Sequence, residues 1–206
     1  MTGQRARGRF LTFEGIDGAG KSTHIDACVE RLRARGIDAL RTREPGGSPL
    51  AERLRELLLA EPMSLETELL LVFAARRDHL ETVIEPALAA GRWVVCDRFT
   101  DSTWAYQGGG RGGPTQRIAW LELWVQGSLQ PDRSYLFDLP ADEAARRRAS
   151  ARAADRFERE DIAFFERVRA AYLARAAADP RRFVVVDAAM PIGDVAKLLE
   201  EDLTSL

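Results

Sequence analysis

One eight-residue segment, GIDGAGKS at positions 15–22, restricts the fold of this chain more than any other feature. It matches the pattern G-x-x-x-x-G-K-[ST], which forms a phosphate-binding loop (P-loop). An apolar run at 10–13 precedes the segment and a helical pattern at 21–35 follows it. Between such a strand and helix, glycines allow backbone N–H groups to converge on phosphate oxygens. The segment therefore predicts a binding site for a nucleoside triphosphate, and a flexible turn without a ligand is the disfavoured alternative.

Two side chains of the P-loop have specific expected roles. Lys21 is expected to neutralise the β- and γ-phosphates of ATP, and the Ser22 hydroxyl to ligate Mg²⁺. Lys21 stands out because Lys197 is the only other lysine among the 206 residues. The predicted ATP-binding residues are Gly15, Ile16, Asp17, Gly18, Ala19, Gly20, Lys21, Ser22 and Thr23.

Short apolar runs alternate with longer helical patterns along the chain. The predicted strands span 10–13, 38–42, 93–96, 135–139 and 183–186. The predicted helices span 21–35, 48–60, 65–90, 114–130, 141–149, 159–178 and 192–203. This alternation is typical of a parallel sheet covered by helices. We predict an α/β, three-layer P-loop NTPase fold with a five-stranded parallel sheet, forming one domain over 1–206 with a small lid at about 141–161.

Charge and composition restrict the class of partner. With 30 basic and 32 acidic residues, the formal net charge is -2 at pH 7, so no bulk positive field attracts nucleic acid or an anionic membrane. The first apolar run is too short for a signal peptide or a membrane span. Cys28 and Cys96 lack the spacing of a metal site. We predict a cytoplasmic protein whose partners are small molecules, without a nucleic-acid or membrane partner.

A P-loop alone does not separate a kinase from a GTPase switch or an ATP-driven machine. The guanine-reading motif of GTPases, N-K-x-D, needs an asparagine, and this sequence contains none. A standard GTPase is therefore disfavoured. A kinase and a P-loop switch with slow hydrolysis both stay open on these grounds.

Six segments in a fixed order resemble the bacterial thymidylate kinase (dTMP kinase) family. They are FEGIDGAGKST at 13–23, TREPGG at 42–47, LVFAARR at 71–77, DRF at 97–99, YQGGGR at 106–111 and DRFE at 155–158. The resemblance covers nearly the whole chain. It implies transfer of the γ-phosphoryl group of ATP to dTMP, with Mg²⁺ as cofactor and a homodimer as the assembly. A kinase for another nucleoside monophosphate or for a deoxynucleoside is the alternative among enzymes.

The resemblance also implies an acceptor site for dTMP outside the P-loop. Arg98 follows the strand 93–96, and its planar fork suits the acceptor phosphate. Thymine would stack on Phe73 and accept a hydrogen bond from Arg77, although a phenylalanine on an apolar helix is usually a core residue. Tyr106, in a glycine-rich loop, would pack against the deoxyribose and exclude a 2′-hydroxyl. The predicted substrate-binding residues are Arg43, Pro45, Phe73, Arg77, Arg98, Ser102, Thr103, Tyr106 and Gln107.

Two carboxylates are candidates for positioning the metal and the acceptor. Asp97 ends the strand 93–96, where P-loop proteins commonly hold a carboxylate near magnesium, and a helix N-cap is the alternative. Asp17 lies inside the P-loop, where the resemblance implies that it positions acceptor and metal, and a turn-stabilising side chain is the alternative. The predicted metal ligands are Ser22 and Asp97.

A further cation is expected from the lid. One family type carries an arginine within the P-loop, whereas this chain has Gly18 and Ala19 and resembles the type that supplies arginine from the lid. Phosphoryl transfer develops negative charge that needs such a cation. Arg152 is the first candidate and Arg147 or Arg148 the second, with a solvated helix face as the alternative for any one of them. The predicted catalytic residues are Lys21, Asp17, Arg98, Arg152 and Arg147.

Overall fold

A parallel sheet of five strands forms the centre of the structure, a computed structural model that describes residues 6–148, 156–157 and 160–206. The strands are β1 Phe10–Glu14, β2 Ala39–Arg43, β3 Trp93–Asp97, β4 Arg133–Asp138 and β5 Phe183–Asp187. Their order in the sheet is β2-β3-β1-β4-β5, with every neighbouring pair parallel. The predicted five-stranded parallel sheet is confirmed, and the P-loop follows its central strand.

Helices account for most of the remaining described residues. The α-helices are α1 Lys21–Ala34, α2 Pro49–Ala60, α3 Leu65–His79, α4 Glu85–Ala89, α5 Thr100–Thr103, α6 Thr115–Gln126, α7 Ala141–Arg148, α8 Ile162–Ala178 and α9 Ile192–Ser205. A π-helical segment, Leu80–Ile84, joins α3 to α4, and another, Trp104–Gly110, follows α5. The predicted helix 65–90 is therefore interrupted by a π-helical turn, which precedes Pro86, a residue that cannot donate a backbone hydrogen bond.

The segment YQGGGR at 106–111 is largely helical, whereas the sequence predicted a glycine-rich loop. Its glycines let the π-helical segment approach α8 closely. A Cβ atom on Gly109 would lie 2.5 Å from the Cβ atom of Ala171, and one on Gly110 would lie 2.5 Å from the Phe164 ring. The glycines therefore permit helix packing here and do not indicate a flexible loop.

Alternate residues of the central strands face two apolar layers. Leu11 and Phe13 pack mainly with side chains of α1, α8 and α9, whereas Phe10 and Val94 pack with α3, α4 and α6. Burial on both faces is typical of a parallel sheet covered by helices. Each fully buried large apolar side chain contributes about 1.5–3 kcal/mol to folding. The two layers thus confirm the three-layer arrangement and leave the carboxyl-terminal edge of the sheet for polar groups, the usual ligand position in such folds.

Two predicted helices are shorter in the structure. Helix α8 begins at Ile162 because the Asp161 carboxylate caps it, accepting a hydrogen bond from Phe164 N at 2.6 Å. Helix α6 ends at Gln126, before Gly127, whose φ of 57° takes the chain out of the helix. Of the predicted lid, 149–155 and 158–159 lie outside the described residues, and Arg152 is among them. No helix in the described ranges is both long and apolar enough to cross a membrane.

Candidate active site

The P-loop turns from β1 into α1 at the centre of the sheet edge. Gly15 and Gly20 have φ angles of 129° and 85°, and a Cβ atom on Gly15 would lie 2.4 Å from the carbonyl oxygen of Phe137. Glycine is therefore required at position 15. Lys21 is 6% exposed, and its ammonium donates to the carbonyl oxygens of Gly15 and Ile16 at 3.0 and 3.1 Å. This places the lysine cation at the loop that is predicted to hold the triphosphate.

A cavity of about 380 Å³ lies beside the P-loop at the start of α1. Its lining includes Thr23, Arg147, Met190 and Pro191. The Arg147 guanidinium donates to the carbonyl oxygen of Ala188 at 3.0 Å, on the same wall. This cavity offers space for the nucleoside of the phosphoryl donor, and we call it the donor cavity. Arg147, a predicted catalytic residue, lies here in the structure and does not line the acceptor cavity described below.

A second cavity contains both predicted metal ligands. Ser22 and Asp97 line it, and the Oδ1 atom of Asp97 is buried without a hydrogen-bond partner among the described residues. A hydroxyl and a carboxylate suit Mg²⁺, which binds few protein oxygens and keeps water and phosphate oxygens as its other ligands. The two residues therefore fit the predicted ion. Arg43 also lines this cavity, where its guanidinium donates to both carboxylate oxygens of Glu52, so it lies outside the acceptor cavity.

A third cavity lies between α2, α3, α5 and the loop after β2, and we call it the acceptor cavity. Side chains from widely separated parts of the chain line it. Among the predicted site residues, the structure brings together here Asp17, Pro45, Arg98, Ser102, Thr103, Tyr106 and Gln107.

Arg98 is the centre of a hydrogen-bonded cluster at this cavity. Its Nη2 atom donates to Asp17 Oδ1 at 2.8 Å and to the Tyr106 hydroxyl at 3.1 Å. Its Nη1 atom donates to the Tyr172 hydroxyl at 2.9 Å and to Ser102 Oγ at 3.3 Å. The backbone of Arg98 is left-handed, with φ of 69°, which is costly for a residue other than glycine. The surrounding contacts thus hold the guanidinium in one place beside the P-loop.

Asp17 is an anion between two cations. Burial alone would raise the pKa of the Asp17 carboxyl, but the charges of Arg98 and Lys21 and the hydrogen bonds from Arg98 and Tyr106 hold this pKa well below its usual range. The carboxylate therefore stays ionised at neutral pH. The Asp17 charge therefore acts on both cations, Arg98 beside the acceptor cavity and Lys21 in the P-loop.

Glu14, the last residue of β1, is part of the site although the sequence did not predict it. Its carboxylate accepts hydrogen bonds from Phe99 N at 2.7 Å, the Ser102 hydroxyl at 2.6 Å and the Tyr172 hydroxyl at 3.2 Å. Burial raises the pKa of Glu14 to about 7, and the negative charge of Asp101 adds to this effect. Glu14 and Tyr172 thus support the cluster around Arg98. The one sequence signal for Glu14 as a site residue is its position directly before Gly15, the first residue of the P-loop.

Helix α3 presents Val72 and Arg76 to the acceptor cavity, which corrects the predicted pair Phe73 and Arg77. The Phe73 ring is 1% exposed and belongs to the core between α3, α6 and the sheet. The Arg77 guanidinium donates to the carbonyl oxygen of Val125 on α6 at 3.0 Å. Both pairs are four residues apart, so helical spacing alone fits either. This placement argues against base stacking on Phe73 and a base contact from Arg77.

Arg76 has one donor atom without a hydrogen-bond partner among the described residues. Its Nε atom donates to Glu44 Oε2 at 2.7 Å, and its Nη2 atom donates to Thr103 Oγ1 at 3.1 Å. The Nη1 atom is buried and has no hydrogen-bond partner within the described part of the chain. An unmatched buried donor costs about 1–3 kcal/mol. Because Arg76 lines the acceptor cavity, an oxygen atom of a ligand can supply the missing acceptor.

Part of the predicted lid reaches the acceptor cavity. Phe157 lines it, with its ring centre 5.9 Å from that of Tyr106. Arg156 donates to Glu68 Oε2 at 2.7 Å, and Gln107 donates to Glu68 Oε1 at 2.8 Å. Glu68 therefore connects the DRFE segment with the YQGGGR segment. Gln107 therefore lines the cavity while its side-chain amide is already hydrogen-bonded to Glu68.

Comparisons with known proteins identify the family of this chain. The family model described as thymidylate kinase matches residues 13–199. A thymidylate kinase of Cupriavidus metallidurans is 60% identical over 200 residues, which cover 97% of this chain and 100% of that protein. A thymidylate kinase of Bordetella petrii is 59% identical over 201 residues, covering 98% of this chain and 97% of that protein.

A solved structure extends the similarity to three dimensions. The crystal structure of thymidylate kinase from Ehrlichia chaffeensis is 33% identical in sequence, with a TM-score of 0.78. The match covers 96% of this chain and 99% of that chain. Since the family model and these relatives match along nearly its full length, the chain belongs to the thymidylate kinase family.

Proposed function

We propose that this protein transfers the γ-phosphoryl group of ATP to dTMP, giving ADP and dTDP. Membership of the family makes it a nucleoside monophosphate kinase. The observation that carries the specific proposal is the Arg98–Asp17 pair, 2.8 Å apart, which joins the P-loop to the wall of a separate acceptor cavity. A switch that only hydrolyses a triphosphate has no need of a second cavity with its own phosphate-binding cation.

In this proposal the side chains position the two substrates and supply positive charge to their phosphates, and no covalent intermediate with the protein forms. Lys21 and the P-loop amides hold the β- and γ-phosphates, while Arg98 holds the acceptor phosphate in line with them. Asp17 keeps the Arg98 guanidinium oriented. Mg²⁺, when held by Ser22 and Asp97, would neutralise charge on the donor phosphate oxygens.

Recognition of the base is assigned to α3 and the segment after α5. The Nη1 atom of Arg76 donates to a carbonyl oxygen of thymine, and Val72 contributes apolar contact with the ring. The Tyr106 side chain packs against the deoxyribose. Because thymine and uracil differ by one methyl group, discrimination between them is limited to about 1–3 kcal/mol, or roughly 10–200-fold. dUMP is therefore expected to be a slow alternative substrate.

An ADP-release assay with dTMP, dUMP, dCMP, dGMP, AMP or no acceptor tests the proposal. The fastest release is expected with dTMP, and a lower rate with dUMP. Equal release with and without an acceptor would contradict a kinase and favour a switch. Faster ADP release with a different monophosphate would identify that monophosphate, and not dTMP, as the substrate.

The substitution Asp97→Asn is expected to raise the Mg²⁺ concentration for half-maximal rate by at least about tenfold, because it removes the charge of a predicted ligand. The measurement is a magnesium titration of the rate at fixed ATP. Asp138→Asn is the matched control, since Asp138 ends β4 at the same sheet edge but pairs with Arg169. An unchanged magnesium dependence in Asp97→Asn would exclude Asp97 as a ligand.

We also propose that the protein is a homodimer that uses an exposed apolar face on α6 and α3. Trp120, Leu123 and Trp124 on α6 are 61%, 68% and 70% exposed, and Leu70 on α3 is 59% exposed. The two indole rings stack, with centres 5.3 Å apart. Exposed apolar patches with aromatic side chains mark interfaces, and a two-fold contact between identical patches is the commonest arrangement.

Location in the cytoplasm and the lack of nucleic-acid or membrane partners remain predictions from the sequence.

The double substitution Trp120→Glu and Trp124→Glu is expected to convert the dimer to a monomer, because it places charge in the centre of the apolar face. Light scattering should give twice the chain mass of 22.9 kDa for the unmodified protein and the single mass for the variant. Val185→Glu is the control, since Val185 is 47% exposed on the edge strand β5. A monomeric unmodified protein, or a variant that stays dimeric, would contradict this interface.

A further inference from the structure

A chain of polar groups, buried at Glu44 and His79 and half-buried at Thr42, runs behind Arg76. Glu44 is 3% exposed, and its Oε2 atom accepts from Arg76 Nε at 2.7 Å. Its Oε1 atom lies 3.1 Å from His79 Nδ1. His79 is fully buried, and its Nε2 atom lies 2.6 Å from Thr42 Oγ1. Thr42 lines the cavity assigned to Mg²⁺, so the chain of contacts connects that cavity with the acceptor cavity.

The charge of Glu44 determines the direction of these hydrogen bonds. Burial would raise the pKa of Glu44, but the charge of Arg76 and the contacts of His79 outweigh burial and lower it. An ionised carboxylate only accepts, so His79 donates from Nδ1. The other ring nitrogen, Nε2, is hydrogen-bonded to the Thr42 hydroxyl. Each polar atom of His79 therefore has one defined partner.

The loop after β2 leaves little space around His79. A Cβ atom on Gly47 would lie 2.3 Å from His79 Nε2 and 2.5 Å from Thr42 Oγ1. The φ of Gly47 is 85°, a conformation that glycine adopts at little cost. The close packing of Gly47 and the two hydrogen bonds of the ring nitrogens together restrict the ring to one orientation. His79 thus restrains Glu44, and Glu44 restrains Arg76.

We propose that Glu44 and His79 are positioning residues that set the selectivity of the acceptor cavity for a pyrimidine base with a carbonyl oxygen at C4. The proposal rests on the proposed function, since it takes the base of dTMP as the ligand of Arg76. A guanidinium only donates hydrogen bonds, so it favours a carbonyl oxygen over the exocyclic amino group that cytosine has in its place. Nε and Nη2 are engaged by Glu44 and Thr103, which leaves Nη1 for the base. A guanidinium free to rotate would lose this distinction.

Two substitutions test the proposal through the ratio of kcat/KM for dTMP to kcat/KM for dCMP. Glu44→Gln should reduce this ratio by about tenfold, since hydrogen bonds to charged groups contribute enough for such a change. The loss should appear mainly as a higher KM for dTMP. His79→Leu should reduce the ratio in the same direction by a smaller factor. His79→Gln, whose amide can still donate toward Glu44, should retain more of the ratio than His79→Leu.

A control separates positioning from a general loss of stability. Thr12→Val removes a buried hydrogen bond, 2.8 Å from Thr12 Oγ1 to Ser134 Oγ, that lies outside the acceptor cavity. Thermal unfolding is measured for every variant. Thr12→Val is expected to unfold at a lower temperature with an unchanged dTMP to dCMP ratio. If Glu44 and His79 only stabilise the fold, their variants will also unfold at a lower temperature and keep the dTMP to dCMP ratio of the unmodified protein.

The outcomes separate this inference from the proposed function. Failure of the unmodified protein to phosphorylate dTMP would overturn the proposed function, and calorimetric binding of dTMP and dCMP to the variants would still test the selectivity. Folded Glu44→Gln and His79→Leu variants with the unmodified ratio would overturn the inference. Should Glu44→Gln not fold, His79→Leu decides, because it replaces a buried ring by an apolar side chain and leaves the Glu44–Arg76 pair in place.

Discussion

Replacing Arg98 by alanine is expected to lower kcat/KM for dTMP by about 10²–10³-fold, the usual effect of removing one donor that stabilises developing charge. The guanidinium donates to Asp17 at 2.8 Å and to the hydroxyls of Tyr106 and Tyr172. Without it, the acceptor phosphate would meet the negative charge of Asp17 with no cation between them. Both a higher KM for dTMP and a lower kcat are therefore expected.

Steady-state kinetics with varied dTMP at saturating ATP measures this effect. Arg169→Ala is the matched control, because Arg169 forms a two-contact ion pair with Asp138, at 2.6 and 2.9 Å, at the same edge of the sheet. Arg98→Lys keeps the charge but not the planar fork, and is expected to recover only part of the activity. An unchanged KM for dTMP in Arg98→Ala would remove Arg98 from the acceptor phosphate site. Equal losses in the Arg169 control would assign the effect to stability.

Replacing Arg152 by alanine is expected to lower kcat by about 10³–10⁵-fold with little change in dTMP affinity, as for arginine fingers in related phosphate chemistry. The P-loop has Gly18 and Ala19 where an arginine would otherwise stand, so Lys21 is its only cationic side chain. Arg147, the other predicted lid arginine, lies at the donor cavity. Arg152 lies outside the described residues, so this expectation depends on the sequence pattern.

Single-turnover kinetics isolates the chemical step for this variant. Arg147→Ala is expected to raise the KM for ATP, because Arg147 lines the donor cavity. Arg146→Ala is the control, since Arg146 is 69% exposed and pairs with Asp142 on the surface. A chemical rate like that of the unmodified protein in Arg152→Ala would contradict its catalytic assignment. A large loss in Arg147→Ala alone would transfer the role to Arg147.

The sheet and the P-loop could be predicted because their signals are local. An apolar run followed by glycines and Lys21 specifies a strand, a turn and a helix start within about a dozen residues. The alternation of apolar runs and helical patterns then indicates parallel strands. The glycine-rich segment 106–111 is harder to predict, because its sequence is typical of a loop although Gly109 and Gly110 allow a π-helical segment to pack on α8. Glycine content alone does not distinguish flexibility from close packing.

The cavity-facing side of α3 could not be predicted from the sequence. Residues 72 and 76 and residues 73 and 77 have the same spacing, and the two pairs differ by a rotation of about 100° around the helix axis. Tertiary packing against α6 and the sheet decides between them, by burying Phe73. The contacts of Glu14 are equally hidden in the sequence, since its Tyr172 partner is 158 residues away. Such contacts depend on the folded arrangement and not on any local pattern.

The left-handed backbone at Arg98 shows a compromise between conformational stability and activity. An L residue in this region costs roughly 1–2 kcal/mol, and the folded protein bears that cost before any substrate arrives. Under the proposed function, this cost corresponds to a guanidinium that is oriented for the acceptor phosphate before the substrate binds, so little reorganisation energy is left for the binding step. Selection for thermal stability alone would favour glycine at this position, whereas selection for turnover retains the strained arginine.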